Sequence, residues 1–114
     1  MNISYKGYNT KFLTAMGEGV EVGDCVKLND SGLLVCAGLN ENFIGVAVSN
    51  RENVIGMQEQ GYIEMPYTGT VPTYGYCKLV SLGNGAVKVG IGDNDRVYKV
   101  MMVDKESSTV GFML

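Results

Sequence analysis

Residues 17–49 read GEGVEVGDCVKLNDSGLLVCAGLNENFIGVAVS, and the fold class follows from that stretch. Val20, Val22, Val26 and Leu28 lead into a turn at Asn29–Gly32. Leu33, Leu34, Val35 and Cys36 follow, then a Gly-containing loop and a second apolar run, Phe43–Val48. Short β-branched runs punctuated by Gly, Asn and Asp are the pattern of antiparallel strands joined by tight turns. A four-residue loop at Asn29–Gly32 sets Leu28 against Leu33 and Val26 against Val35. Side chains alternate with a period of two, so those four share one face of the ribbon. Cys25 and Lys27 fall on the other face.

Working outward, a second hairpin echoes the first. Gly23-Asp-Cys25-Val-Lys-Leu28 aligns with Gly75-Tyr-Cys77-Lys-Leu-Val80. The second turn, Asn84-Gly85, carries the dipeptide that a type I′ hairpin favours, which sets Leu82 against Val87 and Val80 against Val89. Phe43-Ile-Gly-Val46 is matched with Thr109-Val-Gly-Phe112 at the close of each copy. Two related β-modules in one domain are expected, not a long repeat array.

The remaining chain fits this frame. Strands are expected near Val54–Gln58, Tyr62–Met65, Arg96–Val103 and Thr109–Leu114. Pro66 and Pro72 bracket a connection or sheet edge, since proline offers no ladder N–H. Residues 1–16 lack clean alternation and read as an extended N-terminal arm before a domain at 17–114, the alternative being a first edge strand. With 114 residues, 16 glycines and 2 prolines, and no apolar stretch of helical period, the expectation is all-β. It is a small single-domain barrel or sandwich of antiparallel hairpins.

Composition narrows function by exclusion. A net charge of −3 is the wrong sign for a nucleic-acid surface. There is no apolar run long enough to span a membrane and no apolar core for a signal peptide, so synthesis in a cytoplasm is expected. The chain has no histidine, the usual general base near neutral pH. Its carboxylates are dispersed, so no catalytic residue is assigned and an enzyme is not expected. Neither is a cofactor or a metal site. Gly90-x-Gly-Asp-x-Asp95 lacks the spacing of a calcium loop and reads as a turn, and Cys25, Cys36 and Cys77 have no Cys-x-x-Cys spacing. The assumed register puts Cys25 opposite Cys36, but reduced, partly buried thiols are expected. Tyrosines outside predicted strands suit a half-wet partner surface. Tyr5, Tyr8, Tyr67 and Tyr74, with Phe12 and Leu13 of the arm, are therefore the candidate partner-binding residues.

One family shares this arrangement. Val20-Glu-Val-Gly-Asp-Cys-Val26, followed by Phe43-Ile-Gly-Val-Ala-Val48, resembles the "GD-x-V … G … IGVA" pattern of tailed-phage capsid decoration (cement) proteins. Gly61-Tyr-Ile-Glu-Met-Pro66 is similar to that family's "G-x-(V/I)-x-L-P" strand, and Gly75…Gly85-Ala-Val87…Thr109-Val-Gly111 to its second half. The resemblance covers roughly residues 18–114. It implies a β-rich, non-enzymatic structural protein of a bacteriophage virion, made in the bacterial host cytoplasm. Such a protein sits outside the icosahedral capsid as a homotrimer and stabilises contacts between major capsid proteins. Against it stands a small-ligand or glycan-binding β-barrel, virion-displayed or host-encoded, for which the tyrosine-rich stretch at Tyr67, Tyr74 and Tyr76 speaks.

Overall fold

The computed structural model describes residues 10–114. Ten strands run in chain order: β1 Lys11–Met16, β2 Cys25–Leu28, β3 Leu34–Cys36, β4 Gly45–Arg51, β5 Val54–Gln60, β6 Tyr62–Pro66, β7 Gly75–Ser81, β8 Val87–Val89, β9 Val97–Asp104 and β10 Thr109–Met113. All pairing between strands is antiparallel. The expected all-β single domain is what forms, as two five-stranded sheets. Neither closes into a barrel by continuous pairing.

The strand orders are β1-β5-β4-β2-β3 and β6-β10-β9-β7-β8. Adding five to each label of the first sheet gives the second, so the fold is an internal duplication. Finer features repeat too. A bulge leaves Val48 unpaired in β4 between Ala47 and Ser49, and another leaves Met101 unpaired in β9 between Val100 and Met102. Beside each bulge, on the neighbouring strand, stands a glycine: Gly56 faces Ser49 and Gly111 faces Met102. A lone parallel bridge ties Gly17 to Leu34 in the first sheet and Tyr67 to Val87 in the second.

This equivalence corrects the sequence alignment. Val54-Ile-Gly-Met57, not Phe43-Ile-Gly-Val46, is the counterpart of Thr109-Val-Gly-Phe112, because both lie opposite the bulge. Both hairpin registers also move by one residue. Leu28 pairs with Leu34 and Val26 with Cys36, while Ser81 pairs with Val87 and Leu79 with Val89. Each loop closes over three residues: Asn29 N donates to Leu33 O at 2.9 Å, and Leu82 N to Ala86 O at 2.9 Å. The third loop residue takes positive φ, Gly32 at 79° and Gly85 at 81°, the position where a three-residue hairpin requires it. A type I′ geometry arises instead at Glu52–Asn53, with φ of 52° and 67°, between the paired Arg51 and Val54. The new register puts Cys25 opposite Val46, not Cys36.

The expected arm is in part a strand. Residues 11–16 pair along the whole of β5, leaving β1 as a sheet edge among the described residues. Its alternation is weak because only Ala15 packs on the first core while the rest of the strand is exposed, so the core selects little of its pattern.

Register also shows how the halves meet. Ile55, Met57, Ala47, Val26 and Leu34 point into the first sheet's own core. The opposite face of that sheet, at Cys25 and Val46, joins the second core, with Tyr98, Phe112, Val110, Leu79 and Met65 from the inner face of the second sheet. The outer face of one module thus packs on the inner face of the next.

Candidate partner-binding surface

The contact between the modules is made by the β3–β4 connection, and its construction explains what is left outside. Phe43 packs against two touching rings of the second core. It stacks on Tyr98 at 5.2 Å between centroids and meets Phe112 edge-on at 6.4 Å. Tyr98 Oη donates to Phe43 O at 3.1 Å. Hydrogen bonds hold the loop on both sides of that ring. Ser81 Oγ donates to Ala37 O at 2.8 Å, Asn40 N to Ser81 O at 2.9 Å, and Ser81 N to Glu41 O at 2.9 Å. Asn42 donates to Asn94 O and accepts from Arg96 N, each at 2.9 Å. Glu41 pairs with Lys27 and accepts from Gly38 N, interactions that hold its carboxyl below the usual range.

Burial on this scale uses up some predicted contact residues and spares others. Tyr67 is 7% exposed and belongs to the second core, so its ring is not presented to a partner. Its place in the parallel bridge to Val87 is what pulls it inward. Tyr5 and Tyr8 lie outside the described residues. Phe12 (61% exposed) and Leu13 (47%) stand open on β1, joined by Met16. Tyr74 is open as well, its hydroxyl within 3.4 Å of the Val103 carbonyl and accepting from Val103 N at 3.3 Å.

Tyr76 and Ile91 are further exposed apolar groups that lie outside the partner-binding candidates of the sequence. Tyr76, which the sequence brings in only for the glycan-binding alternative, stands on β7 and is 79% exposed. Ile91, 95% exposed, sits between Gly90 and Gly92 in a loop, and an isoleucine outside any strand pattern was the available signal. The loop is internally tied: Asp95 accepts from Gly92 N at 2.8 Å, and Lys78 Nζ donates to Gly92 O at 3.0 Å. Asp95 thereby serves as a turn residue. Among the described residues no cluster of three or more Cys, Asp or Glu is arranged to hold a metal.

The three thiols are free. Burial pushes Cys25 up to about 12 and raises Cys36 above its ordinary value, so neither thiol is activated as a nucleophile. Beside Tyr74, an open groove of volume ≈ 570 Å³ runs between residues 71–74 and 103–106. What the surface offers chemically is contact area: aromatic and aliphatic groups on a rigid sheet frame, with Lys78 and Lys99 alongside.

No family model, curated protein or solved structure matches the chain.

Proposed function

We propose that this protein decorates the outside of an icosahedral phage head, binding the major capsid protein and stabilising contacts between its subunits. The observation that carries the reading is the open apolar set on the frame, Tyr74, Tyr76 and Ile91 with Phe12 and Leu13. Exposed apolar groups on β1, beside and on β7 and in the Gly90–Gly92 loop of a small acidic protein favour macromolecular contact over isolated solubility. The decoration-family resemblance supplies the partner. Its motifs fall on structural joints: Gly23–Val26 at the entry to β2, Ile44–Ala47 at the start of β4, and Gly61–Pro66 on β6. A cement of this kind adds buried interface at each junction and so stabilises the assembled state by mass action. It requires no catalytic residue and no cofactor, and a homotrimer at local three-fold positions fits the family.

Electron microscopy of undecorated heads mixed with the purified chain tests this. Added density at capsid junctions and a higher disruption temperature of the heads are expected. Heads that show neither at saturating protein overturn it. The groove beside Tyr74 favours a second reading, a glycan-binding module. Saturable binding on a glycan array, lost in Tyr74→Ala, with no head binding, would establish that instead.

A further inference from the structure

The internal duplication carries an inference that does not depend on the decoration reading. The two modules meet through unlike surfaces, so each leaves one surface unmatched. In the first sheet, Cys25, Val46 and Gln58 form one rung on the outer face, continuing to Phe12. Cys25, Val46 and Gln58 are buried there, and Cys25 Sγ lies 4.0 Å from Met65 Sδ of β6. A groove between Val22–Gly23, residues 46–48 and residues 63–66 marks where β6 runs beside the first module. The equivalent rung of the second sheet is Tyr76, Lys99 and Met113, continuing to Tyr62. At its β7–β9 end nothing among the described residues covers it: Tyr76 is 79% exposed and Lys99 is exposed.

The counterpart of β6 is β1, which among the described residues is open at Phe12, Leu13 and Met16, with Ala15 half-buried against the first core. Through their partners on β5 and β10, Leu13 matches Ile63, Ala15 matches Met65 and Met16 matches Pro66. Met65 is 3% exposed and Ile63 packs on the second core, whereas Leu13 is 47% exposed. Side-chain sizes are reversed between the two places. Within the chain a small Cys25 meets a long Met65. On the open faces a large Tyr76 is available, and the matching position holds a small Ala15, half-buried against the first core. That is the complementarity expected of two surfaces that fit each other.

We infer that a second copy of this chain docks head to tail, the β7–β9 face at Tyr76 seating against β1 at Leu13 and Ala15, as the first module seats against β6. The contact is heterologous, so it either closes into a ring or extends. Lys99 in place of Val46 makes it more polar than the internal contact, and therefore reversible.

The test is the weight-average mass from sedimentation equilibrium against concentration for the full chain, from about 10 μM to about 1 mM, where weak contacts populate. Wild type gains mass over that range. Tyr76→Ser and Leu13→Ser each weaken association at least ~10-fold, as loss of a central anchor does, and Tyr76→Phe retains it. An equimolar mixture of the two Ser variants regains association but stops at the dimer, because each keeps the surface the other lost. Both positions are exposed, and unchanged melting curves confirm that the variants fold. A chain still monomeric at the top of the range overturns the inference. So does a mixture that fails to complement, which would indicate a contact between like surfaces.

Discussion

Gly111 is small because Tyr62 lies across it: a Cβ added there would collide with the phenol ring, from Cε1 to the hydroxyl. Covering a strand glycine with a cross-strand aromatic is a recognised way to restore packing on a sheet. Gly111→Ala is therefore expected to cost about 1–3 kcal/mol by overpacking. Combining it with Tyr62→Ala should give much less than the sum of the two single losses in denaturant unfolding, and additive losses would refute the contact. A second residue-scale expectation concerns pH. Burial raises Cys25 from 9.0 to about 12 and Tyr98 from 10.0 to about 12. In the unfolded chain both ionise at ordinary values, so the folded state is favoured in full below pH ~9 and loses that advantage as pH rises toward 12. Once the unfolded groups are ionised, the loss is about 1.4 kcal/mol per pH unit for each. The melting temperature should be flat from neutrality to pH ~9 and fall above it, with the onset of the fall delayed in Cys25→Ala. A fall of equal onset in that variant would assign the effect elsewhere.

Among the elements, the bulges at Val48 and Met101 control which side chains reach the core. Beyond Val48, β4 resumes with Ser49, Asn50 and Arg51 in a new register against Gly56, Ile55 and Val54. Removing the extra residue would turn everything past it to the opposite face, since side-chain orientation alternates at each position. Deleting Val48 should lower stability by more than about 3 kcal/mol, on the scale of a lost buried network. Val48→Thr, which keeps the bulge, should cost under ~1 kcal/mol at this 42%-exposed site. If denaturation finds the two variants alike, the bulge is not a register device. The same elements show what was legible beforehand. Strand existence could be read because Val, Ile and Gly alternate with turn residues from Val20 onward. Registers could not, because a loop of three residues and one of two or four differ by a single position in the same Asn-Asp-Ser-Gly or Gly-Asn-Gly text. Bulges leave no local mark, since Val48 and Met101 continue apolar runs. Tyr67 was misplaced because a tyrosine between two prolines looks solvated, and only the bridge to Val87 brings it inside. That Tyr76 opens to solvent from within a strand could not be read for the converse reason: in sequence, a strand residue facing solvent looks the same as one facing the core.

For the whole molecule, the two modules are unequal partners. The first core, with Ile55, Met57 and Leu34, is built from the first module's own residues. The second incorporates Cys25, Ala37, Phe43 and Val46 from the first. The second module therefore lacks a complete core without its neighbour, while the first should lose less on separation. Phe43 is the residue through which this dependence acts, being 1% exposed and packed against both Tyr98 and Phe112, which themselves meet edge-on at 5.2 Å. Phe43→Ala should cost about 3–5 kcal/mol, the range for emptying a buried aromatic site. A cost of that size is a large part of the stability of a domain this small. The consequence for cooperativity is sharper than the magnitude. Wild type should melt in one calorimetric transition, because the second core cannot persist once the first module unfolds. In Phe43→Ala the second module should loosen first, giving a broadened or split transition with near-ultraviolet signals of Tyr98 lost before far-ultraviolet β-sheet signal. A substituted chain that melts in a single sharp step at a lower temperature would mean that the hydrogen bonds of Ser81 and Asn42 couple the modules without the ring. A wild type that already melts in two steps would show that the modules are independent and that the shared core contributes little.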